Sequence, residues 1–251
     1  MGSKNNSDTP DALSRVAADG IERMSYRQIF TVYNSYVKAF RDDRMDQYMA
    51  GHDGTEPFSK DSWFQRVFFM ICMCYWVARP LALTMGDGRS FVVANWATSD
   101  PRDKPHSLIE WTADVLSWIL QWLWGYFGPS EICKRYEEFG SKKTEIGKKC
   151  FGEREAEMMT VNFLVVDPHL QGSGRGKRLL NAVHNIADDE GRACWLISSG
   201  EHNISFYVKH GYRVVGAFEL AENNPKWKGP KLMCPVMVRE PKATQDADSK
   251  H

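Results

Sequence analysis

One stretch, residues 161–176, constrains the fold of this chain more than any other. It reads VNFLVVDPHLQGSGRG, an apolar run typical of a β-strand that ends near Pro168 and is followed by Gly172, Gly174 and Gly176. Because glycine has no Cβ atom, the chain can turn tightly here and bring several backbone N–H groups together. An amphipathic helix follows, and the positive end of its dipole points back at the loop. The stretch therefore predicts an anion-binding site of the kind that holds a pyrophosphate.

The spacing of the glycines excludes two common nucleotide-binding loops. Counting from Gly172, a dinucleotide-binding fingerprint needs a glycine where this chain has Lys177. A Walker A loop needs a glycine where Gln171 stands and a serine or threonine where Arg178 stands. On these residues alone, an ordinary glycine-rich turn between a strand and a helix remains an alternative.

The residues after the loop predict a regular order of elements. Apolar side chains recur at helical spacing from Gly176 to about Glu190, and Gly191 is placed to end that helix. Residues 193–198 predict a strand. Residues 203–220, NISFYVKHGYRVVGAFEL, predict a short helix and then another strand.

Two motifs in these segments resemble the GCN5-related N-acetyltransferase (GNAT) superfamily. Residues 171–176, QGSGRG, match its Gln/Arg-x-x-Gly-x-Gly/Ala acyl-CoA loop, and residues 164–168, LVVDP, are of the kind that precedes it. A second set stands in register with the superfamily's asparagine, tyrosine and glycine-aromatic segment: Asn203, Tyr207, Gly211 and Tyr212. Both motifs occur in the usual order and at the usual separation, so the resemblance covers residues 156–239 closely.

The resemblance implies a mixed α/β fold of the α+β class. In this fold a central, mostly antiparallel and twisted sheet is flanked by helices, and two central strands splay apart. Here those strands correspond to residues 158–166 and 193–198. A helical, aromatic-rich insert at about residues 100–153 precedes the cofactor-binding strand, where the family has a direct connection.

The resemblance also implies acetyl-CoA as the cosubstrate and no metal. The pantetheine arm would pair with the free backbone of the splayed strand, and the loop would hold the pyrophosphate. The residues assigned to CoA in this way are Leu164, Val165, Val166, Gln171, Gly172, Ser173, Gly174, Arg175, Gly176, Lys177 and Asn203.

Tyr207 is the residue that the resemblance assigns to general acid catalysis. It stands one helical turn after Asn203 and shares its face. A phenol there would protonate the departing CoA thiolate, since model phenols and thiols have pKa values of about 10 and about 8.5. The alternative is that Tyr207 packs in an aromatic core beside Phe206.

The general base does not follow from the resemblance. Counting back from Gln171, the position where many members carry a glutamate is Thr160, which cannot accept a proton at neutral pH. Glu157 is near, but strand alternation places it on the face opposite Thr160 unless a bulge intervenes. Glu201 and His202 follow the second splayed strand, and ordered water is an equal alternative to these side chains.

The insert carries several aromatic residues: Trp111, Trp118, Trp122, Trp124, Tyr126 and Phe127. One interpretation is a helix whose aromatic face packs on the sheet. The other is an aromatic lid for a bulky acceptor.

For function, the resemblance implies an acetyl-CoA-dependent N-acetyltransferase that acetylates a small-molecule amine by direct attack in a ternary complex. Acetylation of a protein or peptide amine is one alternative. A catalytically silent acyl-CoA-binding module is another, which the missing glutamate permits and Tyr207 argues against. The last alternative is a structural protein that binds a partner through the insert.

The remaining segments predict one domain at residues 22–239, with disordered ends at 1–21 and 240–251. Within the domain, residues 25–50 predict one or two amphipathic helices. The run at residues 67–78 is too short to cross a membrane and predicts a buried helix.

Two further runs, residues 81–85 and 90–97, predict a hairpin joined by the turn GDGR.

The composition limits the classes of partner that the protein is expected to bind. With 32 basic and 32 acidic residues the formal net charge is zero, so no overall field favours nucleic acid or an anionic membrane. None of the six cysteines has the spacing of a zinc or redox motif, which predicts reduced thiols in a cytoplasmic protein without a metal site. A monomer and a homodimer are both compatible with the sequence.

Overall fold

The computed structural model describes residues 20–55, 63–78, 81–105, 107–127 and 129–242. The segments predicted to be disordered, 1–21 and 240–251, fall almost entirely outside the described residues.

Within the described part of the chain, one twisted sheet of seven strands forms the centre of the fold. The strands are β1 (Glu22–Arg23), β2 (Ala82–Met85), β3 (Ser90–Asn95), β4 (Met159–Val166), β5 (Cys194–Ile197), β6 (Arg213–Leu220) and β7 (Leu232–Arg239). Their spatial order is β1-β2-β3-β4-β5-β7-β6, and neighbours are antiparallel except β4 and β5, which are parallel. The predicted class, a mostly antiparallel sheet flanked by helices, is confirmed.

Helices cover both faces of this sheet. They are α1 (Ile29–Ala39), α2 (Arg44–Met49), α3 (Trp63–Ala78), α4 (Leu108–Phe127), α5 (Ser130–Phe151), α6 (Arg175–Asp189) and α7 (Ile204–Val208). Helix α6 buries Leu179, Leu180 and Val183 on one face. On the opposite face, α1 and α3 cover β2, β3 and β4, while α5 covers β5, β6 and β7. The sheet therefore divides the molecule into an α6 face and an α1 face.

The predicted hairpin of β2 and β3 is confirmed, and its turn shows why the sequence there is rich in glycine. Gly86, Asp87 and Gly88 all have positive φ angles, of 64°, 57° and 90°. Such angles are strained for most residues but not for glycine, and aspartate tolerates them better than most.

The strands β4 and β5 separate soon after they meet. Their register pairs only Met159 with Cys194 and Thr160 with Trp195, although β4 continues to Val166. On its other edge β4 stays paired with β3. The predicted splay is thus a gap in the middle of the sheet, open toward the carboxyl ends of both strands.

A bulge in β4 lies beside the start of this gap. Val93 pairs with Phe163 and Ala94 with Val161, which leaves Asn162 as an extra residue. The bulge reverses the alternation of side chains. Val161 therefore belongs to the core of the α6 face, whereas Phe163, two residues later, packs on the α1 face.

The structure corrects the packing interpretation of the insert. The insert forms two helices, α4 and α5, and α4 packs on α3 rather than on the sheet. Its described aromatic side chains are exposed, Trp118 at 68%, Trp122 at 61% and Tyr126 at 76%. The side chains of Trp124 and Phe127 lie outside the described residues.

The buried helix predicted at residues 67–78 is confirmed as a helix, α3, but it is only partly buried. Met73 is fully covered, whereas Val67 and Cys74 are exposed. One face of the helix packs on α1 and another on α4, which is itself open to solvent.

Candidate active site

The glycine-rich loop turns directly into the N-terminus of α6. Gly174 is the N-cap of the helix with a φ of 78°, and Gly172 has a φ of 77°. Both are exposed, and nothing lies within 4 Å of an added Cβ atom. These two positions therefore require glycine for their backbone conformation and not for lack of space. The loop presents an open helix N-terminus, where the first N–H groups have no partner within the helix.

Gly176 differs from the other two glycines. It lies inside the first turn of α6, where an added Cβ would stand 3.5 Å from Val166 and 3.6 Å from Phe206, at ordinary contact distance. An alanine therefore fits there as far as the protein itself is concerned. The sequence prediction of a tight turn holds for Gly172 and Gly174 but is wrong for Gly176.

The remaining side chains of the loop have different surroundings. Gln171 and Lys177 are exposed, and the Gln171 Nε2 atom donates to the carbonyl of Val166 over 3.4 Å. Ser173 donates its hydroxyl to the carbonyl of Leu170, which closes the turn. Arg175 bends back toward the β2–β3 turn, with Nη1 2.5 Å from the Cβ position of Gly86.

Arg175 forms no ion pair with the residues that the structure describes. Its Nη1 atom is buried and has no hydrogen-bond partner among the described residues. A buried polar nitrogen without a partner is costly, since it has given up its hydration. The guanidinium group of Arg175 is therefore the best-placed partner for an anion bound near the loop.

A buried carboxylate anchors the entry into the loop. Asp167 accepts from the backbone N–H of His169 at 3.1 Å and from Lys38 Nζ of α1 at 3.2 Å. Burial raises the pKa of Asp167, but these two donors outweigh it and leave the pKa below its ordinary value. Lys38 thereby ties the α1 face to the loop, a contact that the sequence did not suggest.

The edge of β4 that borders the gap carries backbone groups without a strand partner. The N–H of Asp167 donates to the carbonyl of Arg89, so Asp167 and Val165 direct their backbone groups toward β3. By alternation, Leu164 and Val166 direct theirs toward the gap. Of the three residues predicted to hold pantetheine, these two direct backbone groups into the gap, where the Val166 carbonyl accepts from Gln171, and Val165 contributes a buried side chain to the core.

Tyr207 lies on the α6 face, half-buried against the core. Its ring contacts those of Phe206 and Tyr212, at centroid distances of 5.3 and 5.7 Å. Among the described residues nothing hydrogen-bonds its hydroxyl, and burial raises the pKa of Tyr207 to about 12. The ring is thus packed while the phenol keeps its proton at neutral pH, so the two interpretations of Tyr207 are compatible.

Asn203 belongs to a chain of polar contacts that crosses the open end of the gap. Its Nδ2 atom donates to Ser199 Oγ at 3.4 Å, and Ser199 Oγ donates to the carboxylate of Asp43. Asp43 also caps α2 by accepting from the N–H of Asp46 at 2.9 Å. Sequence reasoning missed Asp43, because an aspartate before a helix is most simply a cap.

The base candidates lie at the two ends of the gap. Glu157 is exposed next to the closed end, and its backbone carbonyl accepts from Arg192. Glu201 and His202 are exposed on the turn after β5, at the open end. Thr160 sits where the two strands part. No contact among the described residues selects one of them as a base, and water stays an alternative.

The described residues contain neither a metal-ligand cluster nor a membrane-spanning helix. No group of three or more histidine, cysteine or acidic side chains there is placed to hold a metal ion. None of the helices in the described ranges is long and apolar enough to cross a membrane.

Comparison with known proteins gives one matching family model and several similar proteins. A family model described as an acetyltransferase (GNAT) domain matches residues 137–214. An uncharacterized N-acetyltransferase of Schizosaccharomyces pombe is 24% identical over 234 residues, which cover 93% of this chain and 87% of that protein. A second from the same organism is 28% identical over 150 residues, covering 57% of this chain and 60% of that protein.

Among solved structures, a polyamine N-acetyltransferase of Drosophila melanogaster aligns with 88% of this chain and 98% of its own. The sequence identity is 14% and the TM-score 0.49.

A glycine-rich turn alone would fit several families. The matched family model, however, spans β4, the loop, α6 and the Asn203–Tyr207 segment as one unit. The relative that aligns over nearly the whole chain is itself named as an N-acetyltransferase. These matches support membership of the GCN5-related N-acetyltransferase superfamily, which this chain resembles in the order of its elements and motifs.

Proposed function

We propose that this protein is an acetyl-CoA-dependent N-acetyltransferase whose acceptor is the amine of a small molecule. The observation that carries the proposal is the gap between β4 and β5, which opens onto the loop at the N-terminus of α6. Such a gap leaves a strand edge free for an extended ligand and a helix N-terminus for its phosphates. The relatives named as N-acetyltransferases support the same activity.

The residues at the loop fit a pyrophosphate. Gly172 and Gly174 hold the backbone in the left-handed conformation, so the N–H groups at the start of α6 face the open side. Arg175 adds a cation that has no ion pair among the described residues. These features match the charge and the hydrogen-bonding capacity of a phosphate group.

Acetyl-CoA, when bound, supplies an activated thioester carbonyl. The backbone N–H groups on the free edge of β4 would bind the pantetheine arm and polarise the carbonyl oxygen. Asn203, at the other side of the gap, would add an amide contact. Tyr207 would give its proton to the departing sulfur, since its raised pKa keeps the phenol protonated.

Calorimetry with acetyl-CoA and CoA, followed by a free-thiol release assay over a panel of small amines and peptides, tests the proposal. Saturable binding of acetyl-CoA and thiol release that depends on a small amine are expected. Binding without release for any amine would favour the silent acyl-CoA-binding module. Release with peptides alone would favour a protein or peptide acetyltransferase, and absence of CoA binding would overturn the proposal altogether.

A further inference from the structure

A cavity lies between the last turns of α5 and the beginning of β6. Its volume of about 610 Å³ is within the usual range for a small-molecule site. β6 is an edge strand of the sheet, and β7 separates it from β5. The cavity is therefore separate from the gap between β4 and β5. One of its walls is α5, a helix of the insert for which the proposed function has no role.

A bulge and a glycine shape the strand side of the cavity. The pairing of β6 with β7 shifts between Val214 and Gly216, so Val215 is an extra residue that bends the strand. A Cβ atom on Gly216 would stand 2.8 Å from Sγ of Cys150, so α5 can lie this close to β6 only because residue 216 is glycine. The Cys150 thiol donates to the carbonyl of Val215 over 3.6 Å. These contacts hold the end of α5 against β6 beside the cavity.

The free edge of β6 is partly occupied by α5. Ala217 pairs with Pro235, which has no N–H, so Ala217 directs its backbone groups away from β7. On the same edge, side chains of α5 already donate to the carbonyls of Val215 and Glu219. An added β-strand would have to displace both of these donors. The edge therefore favours a small ligand in the cavity over an extended peptide.

Apolar side chains form much of the cavity wall. α5 contributes Ile146 and Phe151, β6 contributes Val214, and β7 contributes Val238. Val214 is 45% exposed. An aliphatic or similar apolar group in the cavity would cover part of this surface and gain free energy from its burial.

Three basic side chains line the same cavity, and all are exposed: Lys149, Arg154 and Arg213. Glu240 pairs with the two arginines, at 2.9 Å from Nη1 of Arg154 and 3.6 Å from Nη2 of Arg213. Lys149 forms no ion pair with the residues that the structure describes. No acidic side chain among the described residues lines the cavity. The cavity therefore favours an anion over a cation or a neutral group.

From this combination we propose that the cavity binds an organic anion made of a carboxylate on an apolar body. The carboxylate lies between Lys149 and the two arginines, which match its charge and its hydrogen-bonding capacity. The apolar body lies against Phe151 and Val214. This site differs from the acetyl-CoA site in both place and ligand, so it does not depend on the proposed function.

Three probes of similar shape test the charge preference: octanoate, 1-octanol and octylamine. Their dissociation constants are measured by calorimetry on the full chain, below the concentrations at which the probes aggregate. Octanoate is expected to bind at one site per chain and about tenfold more tightly than 1-octanol, which corresponds to about 1.4 kcal/mol. Octylamine should bind more weakly than both. Equal binding of the three probes, or no saturable binding of octanoate, would overturn the assignment.

The same titrations with saturating CoA locate the site. Because β7 lies between the cavity and the gap, the octanoate dissociation constant should be the same with and without CoA. Loss of octanoate binding in the presence of CoA would place octanoate in the gap and overturn the assignment. Failure of CoA itself to bind would overturn only the proposed function.

The variant Lys149→Gln removes one cation and keeps a polar side chain. It should lower the preference for octanoate over 1-octanol by a factor of about three, a size typical of one exposed ion pair. Lys148→Gln, an exposed neighbour that does not line the cavity, is the matched control and should keep the preference. An unchanged preference in folded Lys149→Gln and folded Arg213→Gln would refute the role of the cations.

The variant Ala217→Phe tests the space rather than the charge. Ala217 is exposed and lines the cavity, so the added ring should fill part of the cavity without disturbing the core. Octanoate and 1-octanol should both bind several-fold more weakly, by the same factor, whereas the small variant Ala217→Ser should bind both as the wild type does. Unchanged octanoate binding in Ala217→Phe, with an unchanged denaturant unfolding curve, would place the ligand elsewhere and overturn the assignment.

Discussion

The two faces of the gap between β4 and β5 are assembled from different parts of the chain. On the α6 face, the strand edge, the loop, α6 and Tyr207 come from one continuous stretch, residues 159–207. On the α1 face, the side chains that border the gap come from residues 36 to 76, from Phe163 and from Ser199. The first face offers mainly backbone groups, and the second offers side chains.

This difference determines which of the two faces can be recognised from the sequence. A backbone site needs particular φ angles, and Gly172 and Gly174 show that need as a short motif. A site made of side chains from distant segments needs only that α1 and α2 lie over the gap. Nothing in the local spacing of Asp43 distinguishes a residue that borders the gap from an ordinary helix cap.

Much of the fold was also predictable, because local sequence patterns determine local backbone structure. Periodicity and glycines located β2, β3, α6 and β5 to within one or two residues, and the GNAT resemblance supplied the splay. The bulge at Asn162 was not predictable, because it depends on pairing with β3 rather than on local sequence. The exposure of α4 was not predictable either, since an aromatic helix is more often part of a core.

The largest expected effect concerns the backbone face. If the loop holds the CoA phosphates as proposed, Gly174→Asp places a carboxylate against them, so calorimetry should show CoA affinity reduced by a factor of about 100 or more, given the strength of charged contacts. Gly191→Asp is the matched control. Gly191 also has a positive φ, of 65°, and open surroundings, but it follows the other end of α6. Equal affinities in the two folded variants would remove the loop from the cofactor site.

The next effect concerns Tyr207, the proposed proton donor on the same face. Tyr207→Phe keeps the packed ring and deletes the hydroxyl, so the single-turnover rate should fall by a factor near the lower end of ~10² to 10⁴, the usual range for general acid catalysis. CoA affinity should not change.

The pH dependence of Tyr207→Phe sharpens this test. Because burial raises the pKa of Tyr207 to about 12, the wild-type phenol stays protonated from about pH 6 to about pH 9. The ratio of wild-type to variant rates should therefore stay constant across this range. The exposed Tyr126→Phe serves as control, and a wild-type rate in Tyr207→Phe would leave protonation of the thiolate to solvent.

A smaller effect concerns Tyr212, whose ring packs against that of Tyr207. The hydroxyl of Tyr212 lies 3.1 Å from Nε2 of the buried His184. Tyr212→Phe leaves that nitrogen without its partner, so denaturant unfolding should show a loss of about 1–3 kcal/mol. An unchanged free energy of unfolding would mean that water replaces the hydroxyl.

The same pair gives a pH dependence with a definite sign. Burial, and then Arg239, lower the pKa of His184 to about 3. The folded state therefore favours the neutral imidazole, and its stabilising contribution is complete above the unfolded pKa of about 6.5. Stability should decline as the pH falls from about 6.5 toward about 3, and His184→Gln should flatten that decline. An identical pH profile in the variant would assign acid unfolding to other groups.

The smallest expected effect concerns α4. This helix packs on α3 and contributes none of the side chains described on either face of the gap. Trp122 is 61% exposed, and its ring stacks on that of Tyr126 at 6.2 Å. Because little of its surface is buried against the rest of the protein, Trp122→Ala should change the free energy of unfolding by no more than about 0.5 kcal/mol. The Michaelis constants for acetyl-CoA and for the amine should both stay flat. A several-fold rise in the amine constant alone would instead make α4 an aromatic lid over the α1 face, because only a contact with the acceptor raises that constant selectively.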